Sequence, residues 1–238
     1  MKKMMLMALL AVSFSAYAAT DGLGLPGNVS DDKNGKNDLV LHEGDNDLVT
    51  MHLGVGVNVA TDVPDGYSFA PFKSWDIQWT MLAYEWTPKN ASQTYSVGIG
   101  LKWSNYGLKD KGMAFEKVDE TTTLVPFPEG VSDRYSRVHT LSLNFPVLFK
   151  QDFGKHFSFT VGPVLNINTG AWLKSGYEVG DVDHDFTTKQ IGQRKVTVDI
   201  FGALDIYGVE VFCRYAPMSV FKKDHGPEFK SLTFGLYF

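Results

Sequence analysis

From Leu48 onward, apolar and polar residues alternate in blocks of about a dozen. Leu48 to Ala60 is the first block. Val49, Met51, Leu53, Val55, Val57 and Val59 fall on one parity, and Thr50, His52, Gly54, Gly56 and Asn58 on the other. A period of two is that of a strand, whose successive side chains point to opposite faces. Seven more blocks follow, at about 75–86, 93–104, 134–149, 156–169, 194–206, 209–216 and 229–238. In the last, Leu232, Phe234, Leu236 and Phe238 alternate with Ser231, Thr233, Gly235 and Tyr237, and the sequence ends on an aromatic.

The connections between blocks alternate long and short. Residues 61–74, 105–133, 170–193 and 217–228 are long and polar, whereas 87–92, 151–155 and Tyr207-Gly208 are short turns. Even strand number, short turns at one end and long loops at the other are the pattern of bacterial membrane barrels. The pattern predicts an all-β fold, an eight-stranded antiparallel up-and-down transmembrane β-barrel with both termini facing the periplasm.

The parity of the charges decides which face is the lumen. Asp76, Lys102, Asp199, Asp205, Glu210 and Arg214 share a parity with Gly, Ser, Thr and Asn; Trp75, Trp79, Trp103, Tyr95, Phe157 and Phe159 stand on the other. A soluble barrel would hide its apolar face inside, and an apolar belt of this size is not tolerated in water. Met81 and Ala83 are expected on the lipid face, with Leu82 and Tyr84 in the lumen. Eight strands leave room only for side chains, so the six charges are expected to form a lumen polar network of structural ion pairs. Pro146, on the less apolar parity, is expected to mark a bulge or bend.

The 40 or so preceding residues are of another kind. Lys2 and Lys3, an apolar run from Met4 to Phe14, and Ala16-Tyr17-Ala18 form a signal-peptide pattern. Cleavage is expected after Ala18, leaving a flexible periplasmic segment over 19–47 and the barrel over 48–238. A short additional strand is expected near Leu39–Leu41. Asp32, Asn34 and Gly35 echo a calcium loop, but Ser30 and Leu41 stand where ligands are needed. Without Lys2 and Lys3, 20 basic residues face 27 acidic ones, near −7 net. This charge speaks against nucleic acid as a partner.

Chemistry-bearing groups are sparse. His139 with Ser136 and Asp133 forms a loose Ser/His/acid set. Asp181, Asp183, His184 and Asp185 crowd one long loop, where carboxylates are ordinarily solvated. Cys213 is the single cysteine and belongs to the lipid parity. No catalytic residue, metal or cofactor is assigned.

The stretch Leu141-Ser142-Leu143-Asn144-Phe145-Pro146-Val147-Leu148-Phe149-Lys150, then Phe153-Gly154-Lys155 and Val161-Gly162-Pro163, resembles the PorT-like outer-membrane β-barrel family. Asp199-Ile200-Phe201-Gly202 and the terminal Phe fit that family's later strands. The resemblance implies an eight-stranded barrel inserted by the barrel assembly machinery, which reads the final strand; Phe234, Leu236 and Phe238 would be that assembly signal. The family has no common activity.

The expected function is therefore non-catalytic: a structural, surface-interaction or limited small-solute passage role in the cell outer membrane. The expected partners are outer-membrane lipid, the assembly machinery and a periplasmic or surface protein, with the chain itself a monomer. The alternatives are a lipid-modifying barrel enzyme of the outer leaflet and a soluble periplasmic barrel that binds an apolar ligand.

Overall fold

The computed structural model describes residues 41–42 and 47–238. The signal-peptide pattern over 1–18 and most of the 19–47 segment lie outside the described residues. Twelve strands occur among the described residues: β1 Leu41–His42, β2 Asp47–Thr61, β3 Trp75–Trp86, β4 Gln93–Gly107, β5 Met113–Val118, β6 Thr121–Pro126, β7 Ser132–Asp152, β8 Phe157–Val179, β9 Val182–Lys189, β10 Val196–Ile206, β11 Val209–Ala216 and β12 Lys230–Tyr237. Eight of them close a ring in the order β2-β3-β4-β7-β8-β10-β11-β12, each antiparallel to the next, with β12 returning to β2. The seam runs Leu232↔Val59, Phe234↔Val57, Leu236↔Val55. It continues past the strand end, where the Phe238 and Leu53 backbones exchange two 2.9 Å hydrogen bonds.

Closure removes the sheet edges that an open sheet would expose. Outside the ring, β1 pairs with the start of β2; it contains Leu41 of the expected additional strand, whose Leu39 and Val40 lie outside the described residues. The eight-stranded barrel is thus the architecture the alternation predicts.

Along the barrel wall the alternation also predicts which face each residue takes, with two exceptions; a third register shift, between Ser132 and Tyr135, lies in the rim. Across Met81, β3 carries one residue more than both its neighbours: Thr80 pairs with Gly100 but Leu82 with Ile99, and Ala83 pairs with Thr50 but Thr80 with His52. A bulge reverses the facing of everything beyond it. Ala83 is therefore buried in the lumen, while Leu82 and Tyr84 are exposed on the outside, opposite to the sequence expectation. The second bulge is at Thr169, between the pairs Ser142↔Asn168 and Leu141↔Gly170. It turns Ala171, Leu173 and Ser175 inward. Of the bulge or bend expected at Pro146, no bulge forms, since the register does not shift there. The β4–β7 ladder lapses between Val97↔Val147 and Gly100↔Asn144 and resumes in the same register, because proline has no N–H to donate.

The long connections were expected to be polar loops, and two of them are not. β7 and β8 run to 21 and 23 residues, well beyond the barrel wall, and β9 pairs along the β8 extension. Residues 113–126 form the β5–β6 hairpin. Hydrogen bonds join this rim together: Leu108 N–H to the Ser136 carbonyl, Thr122 N–H to that of His225, and Arg194 N–H to that of Val220. Inside it, Phe69, Tyr106, Leu108, Phe115, Val138, Leu173, Ile191, Phe221 and Phe229 form an apolar core that plugs this end of the barrel.

The outer surface carries two aromatic bands. Trp75 and Trp103 meet at 5.4 Å near the rim. Trp86, Tyr95 and Phe149 form a chain, 5.6 and 5.5 Å apart, at the end bearing the termini. The bands sit at the two ends of the 12-residue β3. At about 3.3 Å per residue and a tilt of about 40°, β3 spans roughly 28 Å. That is close to the apolar height of about 25 Å of outer-membrane barrels. Between the bands lie exposed Val55, Val97, Val147, Ile200, Val211 and Leu236.

Candidate functional site: the lumen and the rim

The lumen is layered. At its centre Arg214, from β11, lies within 2.5 Å of Asp76 on β3 and 3.4 Å of Asp199 on β10. Arg214 also donates to the Gln78 side chain. Lys102, from β4, reaches Asp199 at 2.6 Å, and Ser104 donates to Asp76 at 2.5 Å. Two cations meet two carboxylates, so the layer is neutral. Asp76 and Arg214 are 0% and 3% exposed. Charges so placed need partners with good geometry, because desolvation otherwise outweighs their attraction.

Four of the six lumen residues singled out in the sequence are thus brought together. Asp205 and Glu210 are not among them. They pair across the short β10–β11 turn at the end bearing the termini, where Asp205 accepts a 2.9 Å hydrogen bond from the Gly208 N–H. Alternation placed all six inside; their height along the axis depends on register, which alternation does not supply.

On the terminus side of the ionic layer, Phe201, Phe212 and Tyr237 stack with centroids 5.2–6.2 Å apart, packed with Val164 and Ala203. On the rim side stands the apolar plug. Between plug and ions is a polar cavity of about 30 Å³, lined by Lys102, Ser104, Tyr106, Thr140, Asn168 and Asp199 among others, room for about one water molecule. The sequence placed Phe201, Phe212 and Tyr237 on the lumen parity, but only their convergence from three strands makes a layer of them.

The loose catalytic set does not assemble. Ser136 faces inward and donates to or accepts from Ser175 at 2.7 Å, while accepting from the Phe115 N–H. His139, an odd number of residues along the same strand, faces outward and stacks on Trp172 at 5.5 Å. The acidic run on β9 is split in the same manner. Asp183 and Asp185 share a face opposite His184, which stacks on Tyr177 at 5.3 Å. Asp185 accepts a 2.5 Å hydrogen bond from the Tyr135 hydroxyl and lies 3.3 Å from Lys174. That bond, then Lys174, hold its carboxyl below the usual carboxylate range. Burial, and then Asp185, push the Tyr135 phenol above its ordinary value. Cys213 is half-buried, paired with Gly202 and Phe234.

Phe234 and Phe238 of the closing strand are exposed on the outside with Leu236. The rim itself presents aromatic side chains. Tyr177 contacts Phe127, His184 and Phe186, and Phe186 is half exposed. Among the described residues β9 pairs with β8 alone, so its other edge is open.

No family model matches the chain, and neither does any curated protein, so membership in the PorT-like family does not follow. Among solved structures the chain is similar to Neisserial surface protein A (NspA), at 8% identity and a TM-score of 0.40, over 79% of this chain and 94% of that one. It is similar also to Ail, the attachment invasion locus protein of Yersinia pestis, at 9% identity and 0.33, over 82% of this chain and 100% of that one. Both are remote, and the eight-stranded reading rests on strand register.

Proposed function

We propose that this chain is a monomeric barrel of the bacterial outer membrane whose task is surface interaction, carried by the raised rim. The membrane assignment draws on the exposed apolar band between two aromatic girdles. The orientation draws on the short turns at the end bearing the termini, which suit the periplasmic side. Phe238, hydrogen-bonded to Leu53 at the seam, is the residue that the barrel assembly machinery would read. The motifs shared with the PorT-like family are compatible with this role and prescribe no reaction.

The observation that carries the interaction reading is the division of labour along the axis. The lumen is filled by an aromatic layer, an ionic layer and an apolar plug, while the rim raises an open β9 edge flanked by Tyr177 and Phe186. A passage role would need a wet path, and an apolar-ligand barrel would need an apolar cavity. The partner is a surface or extracellular protein able to add an extended segment to β9. Photocrosslinking from Phe186 and Thr188 in intact cells tests this: a discrete protein adduct is expected, and adducts to lipid alone would sink the reading. Solute passage is checked in planar bilayers, where no conductance steps are expected. The enzymatic alternative would require altered lipid A or phospholipid profiles on substitution of His139 or His184; no change is expected.

A further inference from the structure

The outward face of the wall, just beyond the rim-side girdle, has an arrangement that barrel stability does not explain. Trp75, Asn105, His139, Trp172 and Lys189 form one lateral row, each in register with the next. Two residue pairs further from the membrane, and so on the same face, the row is Gly107, Arg137, Lys174 and Thr187. Paired residues share a face. Arg137 and Lys174 are therefore direct cross-strand neighbours of like charge, an arrangement that is ordinarily unfavourable. Both lean on the same ring, at 5.3 and 5.8 Å from the centre of Tyr135.

Two more cations flank them. Lys189 closes the girdle row beside Trp172. Lys73 belongs to the 3-10 turn Pro71–Lys73, which packs on the wall: its carbonyl accepts from the Asn105 side chain at 2.7 Å, and it sits so close to Gly107 that a Cβ there would lie 3.1 Å from the Lys73 Cβ and carbonyl oxygen. Asp185 is the carboxylate in contact with this group, at 3.3 Å from Lys174. Glu178 and Asp183 face each other further out. The same turn holds Phe72 98% exposed. An unburied phenylalanine beside an aromatic girdle is placed to enter the boundary of a bilayer.

We infer that Lys73, Arg137, Lys174 and Lys189 form a binding site for the phosphate groups of an outer-leaflet saccharolipid, with Trp172 and Phe72 against its acyl chains. The inference rests on the outer-membrane reading above. The height argues for a lipid: two residues along the strand above the interfacial aromatics is headgroup depth. The chemistry argues for phosphate, which accepts a planar guanidinium fork and ammonium groups together. A phosphorylated headgroup between Arg137 and Lys174 turns their repulsion into attraction.

Native mass spectrometry of the refolded full chain tests this with bisphosphorylated lipid A and the same lipid enzymatically dephosphorylated. The phosphorylated form should be retained about ten-fold more strongly. The preference should vanish in Arg137→Glu/Lys174→Glu and persist in Lys223→Glu, a charge reversal elsewhere on the rim. Equal retention of the two lipids by the wild-type chain would overturn the site, whether or not the double variant folds. Displacement of lipid A by millimolar inorganic phosphate would overturn the lipid assignment. Recovery of the native protein outside the outer membrane would overturn the location reading and this site with it. Outer-membrane recovery with equal retention overturns the site alone.

Discussion

Arg214 is the residue on which the lumen depends most directly. It is buried among Asp76, Asp199 and Gln78. Replacing it with Met would leave Asp76 without its cation and Asp199 with Lys102 alone. Removing one partner of a buried ion pair costs about 3–5 kcal/mol. Arg214→Met should therefore lower the urea midpoint of the barrel strongly, and Arg214→Met/Asp76→Asn should regain much of the loss. A double variant as unstable as the single one would show that the side chain's volume matters more than its charge. At the rim, Asp185 offers a pH test. Its carboxyl lies below its ordinary 3.8 because Tyr135 and Lys174 bond to it. A depressed folded value means that the interaction contributes above 3.8 and fades as the pH falls through the folded value. NMR titration of the Asp185 carboxyl carbon should show a midpoint below 3.8 that moves up in Tyr135→Phe. An unmoved midpoint would leave Lys174 as the cause.

At the scale of elements, the two bulges matter more than any single strand. Thr169 is the additional residue that turns Ala171 and Leu173 into the plug. Deleting it would send these side chains outward and bring Trp172 and Lys174 inward. We expect the deletion to abolish protease resistance of the rim while the residues below Asn168 still form a barrel. A rim as resistant as wild type would mean that the plug is not held by β8. The closing seam has its own requirement. Gly235 and Gly56 face each other, and a Cβ on Gly235 would come within 2.0 Å of the Val55 carbonyl oxygen and 2.7 Å of the Phe212 ring. Overpacking typically costs 1–3 kcal/mol. Gly235→Val should reduce the fraction of heat-modifiable, folded barrel; an unchanged fraction would show that the seam can open to admit it.

For the whole molecule, the order of layers sets the expected behaviour. A barrel sealed by aromatics on one side and by an apolar plug on the other should not conduct, and Phe201→Ala/Phe212→Ala should be the variant that first shows steps in a planar bilayer. Conductance by the wild-type chain would overturn the sealed-lumen reading. Folded barrel should migrate differently in unboiled and boiled detergent gels, and extraction into buffer without detergent would exclude the membrane assignment. Loss of Phe238 should lower the amount of inserted protein without changing what the rim binds, because Phe238 is hydrogen-bonded to Leu53 at the seam, at the end away from the rim. Alternation with period two depends on neighbours in the chain, so it was legible residue by residue. Strand number, the lumen parity of Asp76, Lys102, Asp199 and Arg214, and the outward facing of Phe234 and Leu236 all follow from it. What the sequence could not reveal depends on residues distant in the chain. Met81 and Thr169 reverse the parity only because β2, β4 and β7 hold their own register. The plug gathers Phe69, Phe115, Val138, Leu173, Phe221 and Phe229 from segments that look like polar loops. The row of Arg137 and Lys174 exists only where β7 and β8 pair. Local pattern determines that a strand forms and which way its side chains point; pairing decides which of them meet.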